Sequence, residues 1–258
     1  MLIVFDVGNS ETTIGAFEGD TLRATWRIMT DVPRTADEYA VLLRALLAAE
    51  GLDAASVRDA SVGSVVPRVT LALADACRSV GAERVTVIDG GSPLPIRLDV
   101  EEPLSVGADR IINTLAASRL FKRDAIVVDL GTATTFDCIT ADGVFLGGII
   151  APGVRVMLET LVRRTSKLPA TELVLPKQVI GKRTEECIRA GVMYGAADSI
   201  DGLVRRIKRD WPGTGTPLVI ATGGLAETFR PLCSEIERVH PDLTLQGLRL
   251  AHAHLTRG

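Results

Sequence analysis

Leu2-Ile3-Val4-Phe5-Asp6-Val7-Gly8-Asn9-Ser10-Glu11-Thr12-Thr13 opens the chain, and Ala125-Ile126-Val127-Val128-Asp129-Leu130-Gly131-Thr132-Ala133-Thr134-Thr135 repeats its pattern much later. Each is an apolar run that ends in Asp, turns at Gly and returns through hydroxyl or amide side chains. A short apolar run bounded by a turn reads as a buried strand. Gly lets the backbone approach a bound group closely, and the N–H and O–H donors around it suit phosphate oxygens. A carboxylate cannot face a polyanion unaided, so the Asp implies a cation, most simply hydrated Mg²⁺. One such turn is a common feature. Two of them imply related halves facing each other across a nucleotide cleft.

Outward from the first turn, residues 12–17 read as a returning strand, Glu18-Gly19-Asp20 as a turn and 22–28 as a third strand. Thr35-Ala36-Asp37-Glu38 is a capping box, followed by Leu42, Leu43, Leu46 and Leu47 at helical spacing. Further strands are expected at 60–66 and 84–88, with a helix at 69–80 between them. The second half repeats the opening with strands at 125–130, 135–140 and 144–150. Helices follow at 154–161 and 185–208, the latter interrupted by Gly191, Gly195 and Gly202, and a strand at 216–220 stops at Thr222-Gly223-Gly224. The pattern is an α/β fold of two similar domains, 1–120 and 121–258, joined around 120–124, where charge interrupts the apolar pattern.

The 258 residues are 47% hydrophobic and 24% charged, as in ordinary globular proteins, but only 4% aromatic, so the core must rest on Val, Leu, Ile and Ala. A formal net charge of −3 leaves no electrostatic footprint for nucleic acid, and Arg163-Arg164 and Arg205-Arg206 read as solvated helix faces. Cys77, Cys138, Cys187 and Cys233 form no close pair, which argues against zinc or a disulfide framework and fits a reducing compartment. No apolar run reaches about 18 residues and no basic leader precedes the first strand. A soluble, cytoplasmic protein without membrane partners is expected.

Asp109 lies in Val106-Gly107-Ala108-Asp109-Arg110, just before an apolar helical stretch from Ile111. Such a carboxylate can accept a proton from an alcohol during phosphoryl transfer, or cap a helix; the spacing allows both. Asp6 with Val7, Gly8, Asn9, Ser10, Glu11, Thr12 and Thr13 is the candidate phosphate and Mg²⁺ site. A tight hairpin with local Asp and Asn bonds would explain this segment, but not its partner at Asp129. His240, His252 and His254 show no partner spacing and read as surface residues.

Taken together, these segments resemble the type III pantothenate kinases, members of the acetate-and-sugar-kinase, heat-shock-chaperone and actin superfamily. The landmarks are the two turns, Arg34-Thr35-Ala36-Asp37-Glu38-Tyr39, Gly107-Ala108-Asp109-Arg110, Gly147-Gly148-Ile149-Ile150-Ala151-Pro152-Gly153, Ile180-Gly181-Lys182-Arg183-Thr184 and Ala221-Thr222-Gly223-Gly224-Leu225-Ala226. The resemblance implies two ribonuclease-H-like domains of the actin-like ATPase fold, ATP-dependent phosphorylation of pantothenate, a homodimer, Mg²⁺ and a monovalent cation, K⁺ or NH₄⁺. It implies Asp109 as general base, Asp129 as ligand of the monovalent cation and Thr132 as an ATP contact. Gly223 and Gly224 would form the adenosine-side loop, and Gly107, Ala108, Asp109, Arg110 and Thr184 would contact pantothenate. Asp137 reads as a second carboxylate near the turn or a merely solvated one. Thr184 alone would read as a helix N-cap.

One departure falls in the substrate motif. The family's Tyr-Asp-Asn-Pro is here Val100-Glu101-Glu102-Pro103, so the aligned Val100 lacks the phenol and Glu102 adds a negative charge where an amide is usual. A related small-molecule kinase with an altered pocket, or a non-catalytic regulatory homologue, are the competing readings; the retained Asp6, Asp109, Asp129 and Thr132 speak against the second. If pantothenate is the substrate, Val100→Tyr with Glu102→Asn should lower its Michaelis constant several-fold at nearly constant maximal rate, because one lost hydrogen bond is worth roughly 0.5–1.5 kcal/mol. Steady-state kinetics check this, and an unchanged Michaelis constant would refute it.

Overall fold

In the computed structural model, which describes residues 1–257, the opening run forms β1 (Leu2–Val7) and returns as β2 (Glu11–Glu18) and β3 (Thr21–Met29). Then come α1 (Ala36–Ala49), β4 (Asp59–Ser64), α2 (Pro67–Val80), β5 (Arg84–Ile88), β6 (Arg97–Leu98) and α3 (Ala108–Phe121). The second pass is β7 (Ala125–Leu130), β8 (Ala133–Ile139), β9 (Val144–Pro152), α4 (Val154–Arg163), α5 (Thr184–Arg209), β10 (Leu218–Thr222), α6 (Ala226–Phe229), β11 (Arg238–Val239) and α7 (Leu243–Leu255). The first sheet has the order β3-β2-β1-β4-β5, and the second contains β9-β8-β7-β10-β11, the same order by position. β1 pairs antiparallel with β2 and parallel with β4; β7 pairs antiparallel with β8 and parallel with β10. The internal repeat read from two short turns therefore extends to whole sheets.

The chain divides into two compact units. One contains Met1–Leu120, the short Gly143–Phe145 segment and the C-terminal stretch from Leu243; the other contains Phe121–Asp142 and Leu146–Asp242. A single cut after residue 120 thus misses two returns of the chain, the larger of which places α7 with the N-terminal unit. The Gly143–Phe145 segment joins it through β6, whose Arg97 and Leu98 pair with Val144 and Phe145.

Within the first unit, period-two alternation along β1 feeds two cores. Ile3, Phe5 and Val7 face Tyr39 and Leu43 of α1 and Leu73 and Cys77 of α2. Val4 faces the opposite way, among Ile111, Ile112 and Leu115 of α3 and Leu245, Leu248 and Ala251 of α7. Two glycines set the height of α3. A β-carbon on Gly63 would overlap Ile112 Cδ1, and one on Gly247 would overlap the Ile112 carbonyl. Thr244 Oγ1 also donates to Asn113 Oδ1 at 2.9 Å, a buried bond that ties α7 to α3. In the second unit, Ile126, Val128 and Leu130 of β7 pack with Met193, Ala197, Ile200 and Val204 of α5.

The capping box of α1 is present: Glu38 N donates to Thr35 Oγ1, and Thr35 N donates to Glu38 at 2.7 Å. α5 runs unbroken through Gly191, Gly195 and Gly202, where a β-carbon would meet nothing within 4 Å. α2 starts two residues before the expected 69, because Pro67 fits the first helical position. β10 ends two residues later than the expected strand, through Thr222.

His252 corrects the reading of the three histidines as surface residues. It is buried on the inner side of α7, whereas His254 is exposed and His240 half-buried, its ring edge-on to Phe121. His252 Nδ1 and Thr86 Oγ1 share a hydrogen bond at 3.0 Å, and Nε2 lies 3.6 Å from Asp59, a carboxylate that Arg84 also engages at 2.7 Å. Burial holds the imidazole below its ordinary pKa, outweighing the upward pull of Asp59. The unfolded chain therefore takes up this proton at higher pH than the folded one, so stability falls on acidification below the ordinary imidazole value. Thermal melting from pH 8 to pH 5 should show wild type losing stability below about pH 6.5, and His252→Gln a flatter acid limb; parallel limbs would refute the assignment.

Candidate active site

Asp6 is the penultimate residue of β1, paired across to Thr13 of β2 and Gly63 of β4. The turn beyond it closes with Gly8 N donating to the Glu11 carbonyl at 3.0 Å. A β-carbon on Gly8 would sit 3.0 Å from that same oxygen, so a bare backbone is needed for the tight return. Asn9, Ser10 and Glu11 are exposed, Asp6, Gly8 and Thr13 are half-buried, and Val7 and Thr12 are buried. Of the eight residues 6–13 read as a phosphate site, Val7 and Thr12 thus turn inward, and the Thr12 hydroxyl shares a hydrogen bond with Thr30 at 2.8 Å. The turn itself is offered by Gly8, Asn9 and Ser10.

Asp109 stands in the first turn of α3. The Gly107 carbonyl accepts from Arg110 N at 3.1 Å and Ile111 N at 3.2 Å, so the helix starts from Gly107. The Asp109 carboxylate folds back over Gly107, where a β-carbon would overlap it, and accepts from Arg110 N at 2.9 Å. The same position on Gly107 is 3.5 Å from Val65, and Val65 N donates to the Val7 carbonyl at 3.1 Å. The Asp6 turn and the start of α3 therefore share the carboxyl ends of β1 and β4, the edge at which open α/β sheets meet ligands. Ile112, one turn further along α3 and lodged on Gly63, fixes the carboxylate at that edge.

Arg110, next in the chain, lays its guanidinium 5.0 Å from the centre of the Phe145 ring. Asp99 N donates to the Phe145 carbonyl at 2.9 Å, which brings half-buried Val100 into the same neighbourhood. Glu101 and Glu102 are exposed. A β-carbon on Gly90 would come within 2.9 Å of Leu104 Cα, so that glycine admits the short turn Pro103–Ser105 leading to Gly107.

The second unit repeats the arrangement. Asp129 is the penultimate residue of β7, paired to Thr135 of β8 and Thr222 of β10. Gly131 N donates to the Ala133 carbonyl at 3.1 Å, closing a turn that exposes Thr132. Gly223 has a φ of +87°, and a β-carbon there would overlap the Asp129 carboxylate. Gly153 backs the turn from the other side, with room for nothing larger: a β-carbon would overlap the Thr132 carbonyl and lie 2.6 Å from that of Gly131. Gly224 is exposed, and Asp137 is buried in β8 instead of solvated. Thr184 stands on a separate element, exposed at the first position of α5. It is not the cap there. Glu186 closes that turn by accepting from Lys182 N at 2.7 Å and Arg183 N at 3.3 Å, bonds that hold its carboxyl below the usual range.

Among the described residues no group of three His, Cys, Asp or Glu is placed to cage a metal. Carboxylates such as those of Asp6 and Asp129 suit ions that take most of their ligands from phosphates, water or backbone carbonyls, as Mg²⁺ on a nucleotide does. Thr30, Gly153 and Phe145 have no part in the sequence reading of the site. Only Gly153 left a trace there, as the last residue of a motif.

The sequence profile of type III pantothenate kinases matches residues 2–206. The type III pantothenate kinase of Moorella thermoacetica is 41% identical over 256 residues, covering 99% of this chain and 100% of its own. The chain belongs to the type III pantothenate kinase family. Solved structures too distant in sequence to show more than the fold agree with it. A conserved Campylobacter jejuni protein assigned to the Baf family of transcriptional activators superposes with a TM-score of 0.61 at 17% identity, covering 98% of each chain. A ROK hexokinase from Thermus thermophilus does so at 0.50 and 14%, covering 98% of each. The fold is the two-domain actin-like ATPase architecture.

Gly223, just after β10, packs against the second turn with a φ of +87°. Gly223→Ala combines an unfavourable φ with a clash on Asp129 and should cost roughly 1–3 kcal/mol of stability. Gly202→Ala, in open space on α5, should be neutral or stabilise by up to about 1 kcal/mol. Urea unfolding of both variants distinguishes the cases; equal midpoints would refute the clash.

Proposed function

We propose that this chain transfers the γ-phosphoryl group of ATP to the primary hydroxyl of pantothenate, the first step towards coenzyme A. Family membership supports the reaction. The observation that carries its chemistry is the Asp109 carboxylate, held over bare Gly107 at the same sheet edge as the Asp6 turn. Asp109 accepts the hydroxyl proton as the oxygen–phosphorus bond forms and the bond to the leaving ADP breaks. Gly8, Asn9 and Ser10 offer backbone and side-chain donors to phosphate oxygens. Asp6 would hold hydrated Mg²⁺, which supplies charge neutralisation on the phosphates when bound. Asp129 would hold K⁺ or NH₄⁺ with backbone carbonyls, while Thr132, Gly223 and Gly224 take the nucleoside side. Arg110 and Thr184 bind pantothenate, the guanidinium matched to its carboxylate.

A homodimer in the cytoplasm completes the proposal. Leu175, Val179 and Ile180 are exposed apolar residues that a second copy would cover, and no described helix is long and apolar enough to cross a membrane.

Turnover of pantothenate and ATP with saturating Mg²⁺ tests this reading, in K⁺ and in Na⁺ buffers. We expect activity that depends on K⁺ or NH₄⁺, and Asp109→Asn to lower kcat by roughly 100-fold or more with nucleotide affinity kept. An Asn variant within about threefold of wild type, under 1 kcal/mol of barrier, would remove Asp109 from the role of base.

A further inference from the structure

Thr30 follows the last residue of β3 and lies outside every phosphate motif, yet it holds the first turn at two points. Its N–H donates to the Ser10 carbonyl at 2.9 Å, and its hydroxyl shares the 2.8 Å hydrogen bond with Thr12. Both threonines are sealed from solvent, Thr30 at 1% and Thr12 at 0% exposure, so this hydroxyl pair is a bond behind the turn and not a ligand contact. Thr30 is itself anchored. Arg34 donates to the Met29 carbonyl at 2.8 Å, stacks 5.8 Å from the centre of the Tyr39 ring and precedes the capped start of α1.

The second unit solves the same problem differently. The residue after its third strand is Gly153, whose bare α-carbon lies directly beneath the carbonyls of Gly131 and Thr132. One turn is braced by hydrogen bonds from a threonine, the other by the contact of a glycine.

We propose that Thr30 is a positioning residue for nucleotide binding, fixing through Ser10 and Thr12 the conformation in which Gly8, Asn9 and Ser10 meet phosphate. This rests on the proposed function for the identity of the ligand. Removing the hydroxyl orphans Thr12 in a dry site, and the cheapest relief is for the turn to shift until that oxygen finds another partner.

The test compares wild type, Thr30→Val and Thr30→Ser in full-length protein. It measures KM for ATP and for pantothenate, kcat, melting temperature, and the Kd of a non-hydrolysable ATP analogue by calorimetry. Thr30→Val should raise KM for ATP and the analogue Kd by roughly tenfold, leave KM for pantothenate within about twofold, and be rescued by Ser. Unchanged analogue affinity in the folded Val variant would overturn the proposal. So would an equal rise in both Michaelis constants together with a lower melting temperature, which marks a purely structural residue. Should Thr30→Val not fold, Thr30→Ala, which removes the same hydroxyl and orphans Thr12 in the same way, takes its place under the same criteria. A wild type that binds the analogue but never turns over pantothenate would sink the function while leaving the Thr30 prediction open to the same calorimetry.

Discussion

The N-terminal unit is levelled by one side chain, Ile112, which lies where Gly63 and Gly247 have none. Strand β4 passes beneath it, α7 presses on its carbonyl, and Asp109 stands one helical turn upstream. A side chain on either glycine would lift α3 from the sheet, and the carboxylate with it. Packed interiors transmit such displacements because they lack slack. The placement of the proposed base is therefore decided by a contact a full turn away from it, within an apolar layer that never meets substrate.

The two turns show how much of a repeated motif is fixed by chemistry and how much is free. Asp, a closing hydrogen bond and bare Gly recur in both. The bracing behind them does not recur. Thr30 donates into the first turn, whereas Gly153 makes room beneath the second, and the carboxylate of the second turn is further confined by Gly223 at positive φ. These are different answers to one mechanical demand: hold a loop still without filling the space its ligand needs.

What the sequence displayed was local. The Thr35–Glu38 box, the apolar runs before Asp6 and Asp129, and the hairpins with their Gly turns all depend on neighbours a few residues away, and each stands as read. What it hid was contact across long separations. α7 had a helical pattern in Leu245, Leu248 and Ala251, but nothing local says that it returns to the first sheet. His252 read as a surface residue because its partners Thr86 and Asp59 sit far upstream. Thr12 read as a phosphate contact because its inward orientation follows from strand register and from Thr30, neither of which the motif contains. At Asp109 spacing left base and cap equally open, and the carboxylate does accept from Arg110 N in the first turn of α3 while standing at the sheet edge it shares with the Asp6 turn.

The return of α7 gives the molecule an order of completion opposite to its order of synthesis. A chain emerging from the ribosome makes β1 to α3 first, but Val4, Phe17, Ile88 and Ile112 wait for Leu245, Leu248 and Ala251 to cover them. The unit spanning the middle of the chain has all its segments in hand by Asp242. One face of the first sheet thus keeps part of its apolar surface uncovered until the last helix is made. A stop codon just beyond Asp242 would leave every segment of the second unit and take from the first the helix that completes its core, at the far end of the gene from the damage.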